Sequence, residues 1–286
     1  MKITVKVRER VYSQEAAMNE FPYLAKTNLA KNSLARTGRL AAALVCLCVV
    51  YLAVSGVRLV RAQSAGSVPT SETALLAEFR RVEVASVSDA MEQLLGKRMY
   101  MSHRMHPIFN TKFAGLARTV QLKKDEGNID PAALNGMLTA IDQGSTDSVY
   151  VMVVENGEDI AGMGGLMGTA MAARGYAGAV IDGGVRDVAY LRKIGFPVYA
   201  TGIVPSTSVH HYRFGGAQIS VSCDGVTVNP GDIVVADSDG VAVVPREKAQ
   251  EVLSIAQQMD FKEHSMYAVI EQLKSIVEAV KKFGRL

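Results

Sequence analysis

The chain has no tryptophan, only 6% aromatic residues, and three cysteines in 286 residues. Three cysteines cannot build a disulfide framework, and Cys46 and Cys48 sit together in an apolar run. That leaves Cys223 as a small residue of a globular part. Charge is also modest, at 21% of positions with a net +3, while 49% of residues are hydrophobic. This composition excludes a disordered chain and a coiled-coil rod. Also missing are a P-loop, an HExxH helix, a GxSxG elbow and a GxGxxG fingerprint. The nucleotide, zinc-protease and serine-hydrolase chemistries that those motifs serve have no foothold here.

What the chain does have is an uneven charge distribution. Residues 1–65 carry ten Lys/Arg against three Glu, a net +7, so the remainder carries 21 basic and 25 acidic residues, a net −4. A mildly acidic body without a basic, aromatic-studded stripe argues against nucleic acid as a partner. From Leu40 to Val57 eighteen residues carry no charge. That length approaches the ~20 apolar residues needed to cross a bilayer. Lys26, Lys31, Arg36 and Arg39 precede the run, which places the N-terminus inside by the positive-inside rule.

The expected organisation is therefore a basic cytoplasmic leader (1–39), a transmembrane or signal segment (40–61), a small-polar linker (62–71) and a folded domain (72–286). The favoured reading is a single-pass anchor with the domain extracytoplasmic. The alternative is an exported, periplasmic protein cleaved near Ala62, where Val60-Arg61-Ala62 forms a small-x-small site. Met18 as an internal start would shorten the leader.

In the folded part, Thr70 or Ser71 is positioned to cap a helix through ALLAEFRRV, and Ser88-Asp89 to start a second that stops at Gly96. Pro131 is placed to open PAALNGMLTAID. SVYVMVVEN reads as a buried strand. From residue 161 to 205 a Gly-rich turn, a small-residue helix, the strand AGAVIDGG, the helix RDVAYLRKIG and the strand PVYATGIV alternate. This alternation predicts an α/β layered fold. Asp224-Gly225, Pro230-Gly231 and Asp239-Gly240 then punctuate an antiparallel unit. The C-terminal segment is amphipathic helix.

One block concentrates chemistry. Gly164-Gly165-Leu166-Met167 immediately precedes or opens a helix, whose free N–H groups and positive dipole end suit a carboxylate or phosphate. Twenty-two residues after Gly164 come Arg186-Asp187, beyond the carboxyl end of a strand, where open α/β sheets bind ligands. Arg can hold a carboxylate bidentately, and Asp can hold a hard divalent cation that keeps its waters. The same pair could equally charge and cap the helix that follows it. His103 and His106 form an HxxH pair without a nearby carboxylate or Cys in sequence, and His210-His211 fall in a loop; surface or packing roles suit them.

GGLMGTAMAARGYAGAVIDGGVRDVAYLRKIGFPVYATG and GVTVNPGDIVVADSDGVAVVP together resemble the RraA-like family, which includes 4-hydroxy-4-methyl-2-oxoglutarate aldolases. The resemblance covers roughly residues 75–262. It implies a swivelling β/β/α-type domain and a homotrimer with sites between subunits. It further implies a metal-dependent class II aldolase that releases pyruvate from a 4-hydroxy-2-oxo acid and decarboxylates oxaloacetate. On that pattern Gly164, Gly165, Leu166 and Met167 offer backbone N–H groups to the 2-oxo-acid substrate. Arg186 binds the same substrate, and Asp187 holds Mg²⁺ or Mn²⁺. Arg186 and Asp187 are thus the expected catalytic residues. The family also contains non-catalytic inhibitors of ribonuclease E, which is the alternative role.

Overall fold

The computed structural model describes residues 71–109 and 111–284. The chain enters through α1 (Glu72–Phe79) and α2 (Val84–Leu95), followed by β1 (His106–Pro107), β2 (Phe113–Lys124), α3 (Asn135–Asp142) and β3 (Ser148–Val154). Then come β4 (Ala161–Met163), α4 (Gly165–Ala173), β5 (Gly178–Val185), α5 (Val188–Ile194) and β6 (Val198–Ile203). β7 (Tyr212–Ala217), β8 (Val221–Cys223), β9 (Val226–Val228), β10 (Ile233–Asp237) and β11 (Gly240–Val244) precede the helices α6 (Ala249–Leu273) and α7 (Ile276–Phe283).

Nine strands form one mixed sheet in the order β1-β6-β5-β3-β2-β10-β11, with β4 added to β5 and β7 to β2. The neighbours β2, β3, β5 and β6 run parallel, in keeping with the expected α/β layered fold, while β10 and β11 form the expected antiparallel hairpin. A single stretch nearly closes this sheet. Met101 N–H donates to Val241 O at 2.9 Å and Val243 N–H to Met99 O at 2.9 Å, tying the stretch to β11. Five residues later His106 and Pro107 pair with Ala200 and Tyr199 of β6.

Strand side chains alternate between two faces, and here both faces are covered. The inner face gathers Val149, Val151, Val180, Tyr199, Val234 and Val243 against Cys223, with Val221 and Val226, of the small β8–β9 hairpin. On the outer face Tyr150, Met152, Ile181 and Ala200 pack under α3, α4 and α5. Ile233, Val235, Ala242 and Val244 pack under α1, α2 and α6. Burial on both faces is why β3 reads as an unbroken apolar run, every residue of it buried. Inside, the Tyr199 hydroxyl donates to Asp237 O at 2.7 Å or Thr111 O at 2.9 Å.

Several sequence expectations shift. Ser71 caps α1, its hydroxyl accepting the Ala74 N–H at 3.2 Å. The second helix begins at Val84, four residues before Ser88. Its first amide is met by Asp237 Oδ2 at 2.9 Å, and Val84 and Val87 are buried in the core. Pro131 does not open α3. The Ala133 carbonyl accepts the Phe214 N–H at 2.7 Å, so the regular helical ladder starts only at Asn135. The C-terminal helix breaks at Lys274, where φ is +54°.

The expectation of a single-pass membrane protein is corrected. Among the described residues no helix is long and apolar enough to cross a membrane. The longest, α6, has 25 residues but carries Glu251, Asp260, Lys262, Glu263 and Glu271 along its length. The 40–61 run on which the extracytoplasmic placement rested, and the boundaries at 39 and 61, lie outside the described residues.

Candidate active site

The parallel pairing of β4 with β5 sets Met163 opposite Val185. The Arg186 N–H extends this pairing by donating to Met163 O at 3.0 Å. Gly164 and Arg186 therefore become neighbours, and the two chains turn into α4 and α5 side by side. Gly164 is the N-cap of α4, in extended backbone at φ −150° that any residue can adopt. Space is what requires glycine. A Cβ there would lie 2.7 Å from Asp187 Oδ2 and 3.1 Å from Arg186 Cγ.

Asp187 caps α5 in the left-handed region at φ +59°. Its Oδ2 accepts the Gly165 N–H at 2.8 Å. Of the first-turn amides of α4, those of Leu166 and Met167 come too early in the helix to have an intrahelical acceptor. Arg186 is exposed and donates through Nη1 to Ser206 O at 3.1 Å. Ser206 in turn donates to Asp159 O at 2.8 Å and accepts the Ala161 N–H at 3.0 Å, so it fixes the loop before β4 and Arg186 together.

All six residues singled out in the sequence thus converge on one corner at the carboxyl end of β5. Beside it opens a recess of about 490 Å³, lined by Leu166, Thr169, Asp187, Val188, Ala189 and Tyr190 together with Gly165. Ser206, Thr169 and Tyr190 escaped the sequence reading. No spacing rule links them to the Gly-Gly turn, because a loop, a helix face and a neighbouring helix bring them in.

The Asp187 carboxylate suits a hard cation that keeps most of its water. One oxygen is held by the Gly165 amide, and the other is available as a single protein ligand. Among the described residues no group of three side-chain ligands includes Asp187. Among the described residues such a group occurs at Glu83, Asp260 and His264, whose ligand atoms lie within 4.8 Å of one another. It draws on the cap of α2 and on α6. Lys112 Nζ stands 3.4 Å from Glu83 Oε2 there.

A second polar cleft, of about 340 Å³, opens at the ends of β3, β5 and β6. Arg104 stands at its mouth, 3.2 Å from Glu158, 3.6 Å from Asp224 and 3.8 Å from Asp182. Lys123 pairs with Glu155 at 2.8 Å. Burial, the larger effect, raises the Asp182 carboxyl above its ordinary value, against a hydrogen bond from the Asp224 N–H. Arg104 and Lys123 thus face four carboxylates, Glu155, Glu158, Asp182 and Asp224, so the cleft is net acidic.

The histidines have surface roles. His106 Nδ1 lies 2.7 Å from Arg104 O, His210 Nδ1 lies 2.8 Å from Asn128 O, and His211 pairs with Glu126 at 2.6 Å. His103 is exposed. Cys223 is fully buried, and burial pushes its thiol well up, as befits a core residue.

Comparison with known proteins agrees with this architecture. A putative 4-hydroxy-4-methyl-2-oxoglutarate aldolase of Halalkalibacterium halodurans is 28% identical over 188 residues, covering 65% of this chain and 83% of the relative. The crystal structure of an uncharacterized protein from Pseudomonas syringae pv. tomato superposes with a TM-score of 0.67 at 26% identity, over 76% of this chain and 97% of that one. Streptomyces coelicolor RraAS2, described as an unusual member of the RNase ES inhibitor RraA protein family, superposes at 0.60 with 27% identity, over 72% and 99%. A family model described as RraA-like, Aldolase/RraA, matches residues 84–243. The chain belongs to the RraA-like family.

Proposed function

We propose that the protein is a divalent-metal-dependent aldolase that cleaves a 4-hydroxy-2-oxo acid to pyruvate and a second carbonyl compound, and that it also decarboxylates oxaloacetate. The observation that carries this reading is the corner where Asp187, Arg186 and the first turn of α4 meet, with the Asp187 carboxylate 2.8 Å from the Gly165 amide. Arg186 grips the substrate carboxylate through its planar fork. The Leu166 and Met167 amides, at the positive end of α4, donate to the same oxo-acid head. Gly164 leaves the space that lets them approach. Cleavage of the C3–C4 bond passes the electron pair to the 2-oxo group as an enolate, and donors fixed before the reaction stabilise that charge. A Mg²⁺ or Mn²⁺ held by Asp187 would supply Lewis-acid stabilisation of the same charge.

The recess beside these residues is open, and Leu166 on its rim is 90% exposed. In the homotrimer that is part of this proposal a second copy covers that side. A metal-bound water or a carboxylate of that second copy would take the C4 hydroxyl proton.

The test is a coupled pyruvate assay on the full-length protein, with Mg²⁺ and with chelator. Pyruvate released from 4-hydroxy-4-methyl-2-oxoglutarate or oxaloacetate, and silenced by chelation, is the expected result. No pyruvate from either, with metal present, overturns the proposal and favours the non-catalytic role of the ribonuclease inhibitors.

A further inference from the structure

We propose that Ser206 is a positioning residue for Arg186, holding one end of the guanidinium so that its remaining edge meets the substrate carboxylate already oriented. This inference rests on the aldolase reading, because it takes Arg186 as the group that grips the 2-oxo acid.

Arg186 is exposed, and an untethered arginine on a surface samples many rotamers, a freedom that binding must remove. Here the tip is tied at one point. Among the described residues the guanidinium makes a single hydrogen bond, from Nη1 to Ser206 O at 3.1 Å. That leaves the Nε–Nη2 edge, whose two parallel N–H groups match a carboxylate. The Nε end of this edge faces the corner, since a Cβ on Gly164 would lie 3.3 Å from Nε and 2.7 Å from Asp187 Oδ2.

Ser206 O can serve as an anchor because Ser206 is itself held. Two residues earlier the Val204 N–H donates to Val185 O at 3.0 Å, continuing the pairing of β5 with β6, and Pro205 allows little change of φ. The Ser206 hydroxyl donates to Asp159 O and accepts the Ala161 N–H. The segment that it grips is tied to β5 in turn, where the Gly184 N–H donates to Ile160 O at 2.9 Å. Strand β5 therefore positions Arg186 twice, directly through the backbone and at the tip through Ser206. Removing the hydroxyl takes away no group that touches substrate, but it frees the carbonyl on which the orientation of Arg186 depends.

The experiment is a double-mutant cycle on the full-length protein with Mg²⁺, read by calorimetric binding of pyruvate and by kcat/KM for oxaloacetate. Ser206→Ala should weaken pyruvate binding about tenfold, the scale of one lost hydrogen bond to a charged group. In an Arg186→Ala background the same change should have no further effect on either readout, because a residue that acts through another is coupled to it. Ser206→Thr keeps the hydroxyl and should bind pyruvate as the wild type does. If Ser206→Ala does not fold, Ser206→Cys, close to serine in volume but only a weak donor, takes its place in the cycle. Wild-type binding by Ser206→Ala, or an equal loss with and without Arg186, overturns the positioning role alone. If Arg186→Ala itself binds pyruvate like the wild type, the head-group site fails and the role of Ser206 falls with it.

Discussion

Asp187 accepts the Gly165 N–H at 2.8 Å, so one carboxylate at the start of α5 also closes the start of α4 across twenty-two residues of sequence. This bond fixes the distance between the two helix starts. It also turns one carboxylate oxygen inward, while the other remains available to a cation. The structural and the proposed chemical role of Asp187 therefore belong to different oxygens, and substitutions can separate them.

Asp187→Asn keeps an acceptor for Gly165 and tolerates the left-handed backbone at φ +59°. It should fold with nearly unchanged thermal stability yet lose metal-dependent pyruvate release. Asp187→Ala should lose the activity and also stability, by about 1–2 kcal/mol from the backbone conformation alone. Thermal denaturation run beside the assay checks both. An Asn variant with wild-type activity would sink the assigned role.

Gly164→Ala tests the crowding at this corner. The new methyl would lie 2.7 Å from Asp187 Oδ2, so either the carboxylate or the Arg186 side chain must move. Displacement of about 1 Å at a reacting centre can cost ~10²-fold in rate. A loss of that order in kcat/KM, with an unchanged circular dichroism spectrum, is the expected result. Full activity would show that the close packing has no part in catalysis.

How much of this corner could be read from the sequence follows from how local its causes are. The Gly-Gly turn, the strand AGAVIDGG and the Arg-Asp pair are short-range signals. They located Gly164–Met167 and Arg186-Asp187 because the βαβ order forces them to one end of the sheet. The start of α2 was misplaced because Asp237, 153 residues away, satisfies the Val84 amide. The start of α3 was misplaced because β7 takes the Ala133 carbonyl. Near closure of the sheet was equally hidden, since the hydrogen bonds around Met99 and Met101 follow no periodicity. Ser206 and Tyr190 reach the site through tertiary contacts alone.

Arg186→Ala should lower kcat/KM by about 10²–10³-fold, the size of one lost preorganised contact to a developing charge. Arg186→Lys should recover little, because an ammonium cannot present the planar fork. Its bond to Ser206 O is a single exposed contact, so neither change should alter the melting temperature appreciably. Steady-state kinetics on both variants checks this, and a Lys variant near wild type would show that charge alone suffices.

Asp182 gives the fold a pH dependence independent of the proposed chemistry. Burial in the polar cleft at the ends of β3, β5 and β6 raises its carboxyl above the ordinary 3.8, and the Asp224 carboxylate adds to the effect. The Asp224 N–H, donating at 2.7 Å, and Arg104, 3.8 Å away, offset part of it. Because the folded chain holds this proton to higher pH than the unfolded chain, stability falls as pH rises from 3.8 through the raised value, and the loss is complete above it. Asp182→Asn keeps an acceptor for the Asp224 N–H but cannot ionise. The melting temperature of Asp182→Asn relative to wild type should therefore climb as pH increases across that window and level off beyond it. Denaturation scans of both proteins from acid to neutral pH measure the difference directly. A difference that shrinks towards neutral pH would mean that the Asp224 N–H and Arg104 outweigh burial and hold Asp182 charged, and a flat one would mean that they cancel it; either overturns the prediction.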